Sequence, residues 1–80
     1  MSHIIEMPSF GSSMGEANLL RWLVAVGDAV QAGQVIAEVE LGKALADLEA
    51  PVAGVIETIE VEAGTEAIEE GRTLARIRTG

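Results

Sequence analysis

Cysteine is absent from this 80-residue chain, and positive charge is scarce. The missing cysteines exclude a disulfide framework and a thiolate zinc site. Five Lys plus Arg stand against 13 Asp plus Glu, which gives a formal net charge of -8. Such a chain has no basic patch for phosphates, and no apolar run approaches the roughly 20 residues that span a bilayer. We therefore expect neither a nucleic acid nor a membrane among its partners.

The chain length fits one domain, covering residues 1–80. No charged and apolar leader segment precedes the first strand-like sequence. We therefore expect a bacterial cytoplasmic location, or the mitochondrial matrix if the domain is excised from a eukaryotic protein.

Short runs of β-forming residues alternate with glycines along the chain, which predicts an all-β fold. In the run 34–41 the side chains fall into two alternating sets. One set is apolar and predicted to face inward, and the other is predicted to face a largely wet side. The inward set is Val35, Ala37, Val39 and Leu41; the outward set is Ile36, Glu38 and Glu40.

A hairpin turn at Gly42-Lys43 joins this run to a second alternating run at residues 44–49. Glycine in the first position of a two-residue loop is typical of a type II′ turn, because that position needs a positive φ. The resulting register pairs Leu41 with Ala44, Val39 with Ala46, and Ala37 with Leu48. Lys43 is then predicted to project into solvent at the tip of the hairpin.

An internal repeat supports two similar halves. Residues 33–39 and 71–77 share the pattern Gly-x-x-aliphatic-Ala-x-aliphatic, 38 residues apart. Two related halves in so short a chain predict a small sandwich or flattened barrel with pseudo-twofold symmetry.

Lys43 is the strongest candidate for chemistry, because it is the only lysine and acidic residues flank it on both strands. A modifying enzyme could acylate this one exposed amine, and an attached cofactor would then supply chemistry that the side chains lack. His3 has no Cys and no Ser-His-Asp spacing to support it as a nucleophile-base pair. The glycines at 11 and 15 frame a surface loop, and Trp22 is expected to pack at the edge of the core.

The residues resemble one known family along nearly the whole chain, from about Ile5 to Ile77. The chain is similar to the lipoyl domain of 2-oxo-acid dehydrogenase complexes, particularly the N-terminal domain of dihydrolipoamide acyltransferase. The similar segments are Met7-Pro8-Ser9-Phe10-Gly11-Ser12-Ser13-Met14-Gly15-Glu16, Trp22-Leu23-Val24, Gly27-Asp28-Ala29-Val30, Gly33-Gln34-Val35, Glu38-Val39-Glu40-Leu41-Gly42-Lys43-Ala44 and Glu49-Ala50-Pro51-Val52-Ala53-Gly54.

This resemblance implies a flattened barrel of two four-stranded antiparallel sheets. It also implies that lipoate is joined by an amide to Lys43, with Gly42 and Ala44 as the flanks of the turn. The chain departs from the common Thr-Asp-Lys-Ala run, since Leu41-Gly42 stands before the lysine. That departure removes a carboxylate beside the attachment point.

The resemblance further implies that the domain is a carrier and not itself an enzyme. Its lipoyl arm would accept an acyl group and electrons from a thiamine-diphosphate-dependent decarboxylase. An acyltransferase core would take the acyl group, and dihydrolipoamide dehydrogenase would reoxidise the arm. A lipoate-protein ligase or the lipoyl synthesis machinery would attach it, and the domain itself is expected to be monomeric.

Partner recognition is expected to involve the loop before the second strand and the acidic strands beside the lysine. The candidate residues are Phe10, Ser12, Ser13, Glu16, Glu40 and Asp47. Two alternatives stay open: a biotinyl carrier domain, and an unmodified barrel that acts as a binding module.

Overall fold

The structure of the protein is a computed structural model that describes residues 1–8, 17–42 and 44–80. Seven β-strands form within these residues. The described part of the chain contains no helix that is long and apolar enough to cross a membrane. The strands are β1 (Ser2–Glu6), β2 (Ala17–Trp22), β3 (Ala29–Val30), β4 (Val35–Leu41), β5 (Ala44–Glu49), β6 (Gly54–Ile59) and β7 (Thr73–Arg78).

The strands form two antiparallel sheets, with the orders β1-β7-β6-β3 and β2-β4-β5. The predicted all-β, two-sheet architecture is therefore confirmed. Aliphatic side chains from both sheets form one buried core, which includes Leu19, Ile36, Ile56, Leu74 and Ile77. Trp22 packs half-buried against this core, and its Nε1 donates to the carbonyl of Val61 at 2.8 Å.

The fourth position of the second sheet is taken by a segment without regular strand geometry. Along β2, the Leu19 amide donates to the Thr65 carbonyl at 2.9 Å, and the Gly64 amide donates back to Leu19 at 2.8 Å. The Ile68 amide donates to the Ala17 carbonyl at 2.7 Å. The described residues thus give four strands in one sheet and three in the other, and residues 64–68 cover the edge where an eighth strand would lie.

The internal repeat corresponds to the central strands of the two sheets, β4 and β7. Residues 33–39 and 71–77 share the same order of exposed, half-buried and buried positions. Each copy also contains a β-bulge at the same place, where Ile36 and Leu74 are skipped in the pairing with β5 and β1. The predicted pseudo-twofold relation is therefore present in burial and in strand register.

The bulge in β4 corrects one prediction about the faces of this strand. Ile36 was expected on the largely wet side, but the structure leaves it 0% exposed. Pairing passes from Val35–Glu49 to Ala37–Leu48, so Ile36 is an extra residue that breaks the simple alternation. Both Ile36 and Ala37 consequently lie in the core.

Candidate attachment site

The hairpin between β4 and β5 forms in the predicted register. Leu41 pairs with Ala44, Val39 with Ala46, and Ala37 with Leu48. Gly42 has a φ of 66°, the positive value that the first residue of the predicted turn needs. Lys43 lies outside the described residues, but the pair Leu41–Ala44 leaves two residues, 42 and 43, between the strands.

The inner face of this hairpin is anchored in the core. Val39 and Leu48 are buried, and Leu41 and Ala46 are half-buried against them. Burial of aliphatic surface at successive pairs fixes the register, since a slip by one residue would expose the whole set. The buried pairs of the two strands therefore fix the position of the hairpin end relative to the core.

The outer face of the hairpin is acidic, and we call it the acidic face. It consists of the four outward-facing carboxylates of the two strands: Glu38, Glu40, Asp47 and Glu49. Glu40 and Asp47, both predicted as recognition residues, are thus brought together here. The other predicted recognition residues, Phe10, Ser12, Ser13 and Glu16, lie outside the described residues.

Two side chains of β2 bind this acidic face. The Arg21 Nε donates to Glu38 Oε1 at 2.6 Å, and the Asn18 Nδ2 donates to Glu40 Oε1 at 3.0 Å. Asn18 also accepts a 2.9 Å hydrogen bond at Oδ1 from the amide of Ala67, a residue with a φ of 56°. Asn18 therefore ties the hairpin to the segment along the other edge of β2.

Sequence reasoning did not single out Asn18 or a groove on the same outer face. The groove has a volume of about 260 Å³ and is lined by Leu20, Glu38, Leu45, Ala46 and Asp47. Both features depend on β2 and β5 flanking β4, an order that residue alternation alone does not contain. The only sequence signal for the role of Asn18 was the presence of an asparagine among the apolar residues of β2.

The described residues fit an acyl group attached to the turn. Attachment requires an amine at the end of a hairpin with little steric hindrance, and position 43 stands between Gly42 and the small, exposed Ala44. Lipoate would be held through an amide to Lys43 and would supply the redox-active sulfurs that the chain lacks. Among the described residues, no group of three or more His, Asp or Glu could hold a metal ion.

Together, the fold and the site define a small β-sandwich that presents one hairpin, at the sequence position of its only lysine. Comparison with known proteins shows which family this sandwich belongs to. Residues 3–77 match the biotin/lipoyl family, which is described as biotin-requiring enzyme. The chain therefore belongs to the biotin/lipoyl family.

The chain matches only a small part of the length of its curated relatives. The chain is 43% identical over 75 residues to the dihydrolipoyllysine-residue acetyltransferase component of the Zymomonas mobilis pyruvate dehydrogenase complex. The match covers 94% of this chain and 17% of that protein. The lipoamide acyltransferase component of the Pseudomonas aeruginosa branched-chain alpha-keto acid dehydrogenase complex is 45% identical over 53 residues, covering 66% of this chain and 12% of that protein.

A solved structure shows the same fold. The lipoyl domain of the 2-oxoglutarate dehydrogenase complex from Azotobacter vinelandii superimposes with a TM-score of 0.75. The superposition covers 95% of this chain and 98% of that domain, at 24% sequence identity. The flattened two-sheet sandwich is thus the lipoyl-domain architecture.

Proposed function

We propose that this chain is a lipoyl carrier domain of a 2-oxo-acid dehydrogenase-type complex, with Lys43 as the attachment residue. The observation that carries the proposal is the register of the β4–β5 hairpin, whose described ends leave a two-residue turn at Gly42-Lys43. Similarity to acyltransferase components of such complexes supports lipoate over biotin.

The role of the protein in this mechanism is presentation. The buried pairs of β4 and β5 hold the turn, and Gly42 allows the chain to reverse tightly without strain. Tethering keeps a bound group near each partner at an effective concentration in the millimolar range, on the order expected for flexible links. The chain performs no bond-making step itself, so it is a carrier and not an enzyme.

The partners follow from this role. A lipoate-protein ligase or the lipoyl synthesis machinery would modify Lys43. A thiamine-diphosphate-dependent decarboxylase, an acyltransferase core and dihydrolipoamide dehydrogenase would then meet the same turn in sequence. The acidic face beside the turn is available to help these enzymes recognise the protein and not only its arm.

Intact-mass measurement after co-expression with a lipoate-protein ligase, and separately with a biotin-protein ligase, tests the proposal. We expect a lipoyl increment on the wild-type chain and none on Lys43→Arg, which keeps the charge but removes the reactive amine. A biotinyl increment instead would favour the biotinyl carrier. No increment with either ligase would favour an unmodified binding module.

A further inference from the structure

Exposed apolar side chains flank the acidic face beside the hairpin turn. Leu20 of β2 is 40% exposed and Leu45 of β5 is 75% exposed. Both line the groove of about 260 Å³, together with Ala46 and the carboxylates of Glu38 and Asp47. The groove therefore combines two exposed leucines with two acidic groups in one concave site.

A β-bulge places Leu20 at this groove. Pairing between β2 and β4 passes from Leu19–Val39 to Arg21–Glu38, which leaves Leu20 as the extra residue. Leu20 and Arg21 are therefore both exposed, although they are consecutive. Bulges of this kind change the direction of a side chain and occur often beside functional sites.

The charges at the groove oppose folding. Glu38 and Asp47 are direct cross-strand partners, and like charges at such positions are destabilising. Arg21 pairs with Glu38 at 2.6 Å, but both side chains are exposed, so this pair offsets only part of the repulsion. Among the residues that the structure describes, no cation pairs with Asp47, so the groove keeps a net negative charge.

The pseudo-symmetric face shows that the fold does not require this arrangement. The equivalent of Glu38 is Arg76 in β7, and the cross-strand partner of Arg76 in β1 is Ile4. That sheet therefore has an arginine opposite an isoleucine where the hairpin sheet has two carboxylates. The like-charge pair belongs to one half only, the half with the attachment turn.

We propose that the groove is a docking site for an apolar side chain flanked by Lys or Arg on the decarboxylase that loads the domain. This inference rests on the proposed carrier function. Charge complementarity selects such a partner, because cations would relieve the repulsion between Glu38 and Asp47 while an apolar side chain covers Leu20 and Leu45. Leu45 is two residues beyond position 43, so docking there would hold the turn close to the active-site entrance of the partner.

The test uses the lipoylated chain as substrate for reductive acylation by the decarboxylase components of a pyruvate and a branched-chain 2-oxo-acid dehydrogenase complex. We compare the variants with whichever of the two decarboxylases has the lower KM for the wild-type domain. We expect Leu45→Thr and Leu20→Thr to raise this KM about 3- to 10-fold, since central apolar contacts dominate protein interfaces. The matched control is Ile4→Thr, which removes an isoleucine that is 43% exposed on the equivalent strand. This control should leave KM unchanged.

Asp47→Asn separates docking from stability. Loss of the carboxylate should raise the melting temperature, because the repulsion with Glu38 disappears, and should also raise KM. If Asp47 only supported the fold, its substitution would lower the melting temperature as well as raise KM. Asp47→Asn without a rise in KM would count against the docking site.

The outcomes distinguish this inference from the carrier function. Lipoylated Leu20 and Leu45 variants with wild-type KM would overturn the docking site and leave the carrier function standing. Absence of lipoylation, or rejection of the wild type by both decarboxylases, would overturn the carrier function and the docking site with it. Methyl NMR shifts of Leu20 and Leu45 on lipoylation alone would assign the groove to the protein's own arm. Concentration-dependent dimers lost in Leu45→Thr would assign the groove to a second copy.

Discussion

At the scale of single residues, Gly54 shows how close contact between strands restricts the sequence. A Cβ placed on Gly54 would lie 2.5 Å from the Arg78 carbonyl oxygen and 2.5 Å from Ile77 Cγ2. The first of these atoms belongs to the backbone of β7, and Ile77 is fully buried. Neither neighbour can move without disturbing the core, so the glycine at the start of β6 is required by space.

We expect Gly54→Ala to lower the free energy of unfolding by about 1–3 kcal/mol, the usual cost of overpacking. In a domain of this size, each 1 kcal/mol corresponds to a fall of roughly 4–8 °C in melting temperature. Urea denaturation measures the effect. The control is Ala53→Ser at the neighbouring exposed position, where a change within about 0.5 kcal/mol is expected. Equal stability of Gly54→Ala and wild type would show that β6 and β7 can separate freely.

At the scale of elements, the β4–β5 hairpin was predictable and the arrangement around it was not. Alternation over residues 34–49 predicts how the strands pair across the turn and, apart from Ile36, which side chains of β4 face the core. The burial of Ile36 was missed because a bulge depends on the partner strand. The irregular segment beside β2 and the groove between Leu20 and Leu45 depend on sheet order, which is set by packing between distant parts of the chain.

An ion pair between Glu60, directly after β6, and Arg76 of β7 gives a pH-dependent contribution to stability. The hydrogen bond from Arg76 Nε to Glu60 Oε2, 2.6 Å long, is the largest cause of a lowered pKa for the Glu60 carboxyl. The Thr58 hydroxyl and the charges of Arg76 and Arg72 act in the same direction. A depressed folded-state pKa stabilises the fold above the unfolded-state pKa, and this stabilisation is lost as the pH falls through the folded value.

We therefore expect Arg76→Gln to be less stable than wild type at pH 7, by a small margin typical of exposed pairs. The difference should vanish below the folded pKa of Glu60, where the carboxyl is protonated in both states. Melting temperatures measured from pH 7 down to the pH at which the Glu60 carboxyl is protonated follow this convergence. Arg78→Gln makes the same charge change on the same strand and should show no such convergence. A constant difference across the pH range would contradict the assigned role of the pair.

At the scale of the whole molecule, the two halves differ in charge at equivalent positions. Residues 34–40 of the first half include Gln34, Glu38 and Glu40, where the equivalent residues 72–78 of the second half include Arg72, Arg76 and Arg78. Three of the five cations in the chain therefore lie within residues 72–78. With a net charge of -8, the molecule presents its acidic face on the half that bears the turn. A basic active-site entrance would attract that half first.

Under the proposed carrier function, this polarity predicts how fast the lipoylated domain meets a decarboxylase. The association rate of the lipoylated chain, measured by stopped-flow, should fall on the order of 10-fold as salt rises from low to physiological and higher concentrations, because screening shortens the range of the acidic face. Glu40→Gln should weaken this salt dependence. Glu62→Gln removes the same charge at an exposed position off the acidic face and should change the dependence less. If both variants changed the salt dependence equally, net charge and not the acidic face would steer association. An association rate that did not change with salt would exclude electrostatic steering altogether.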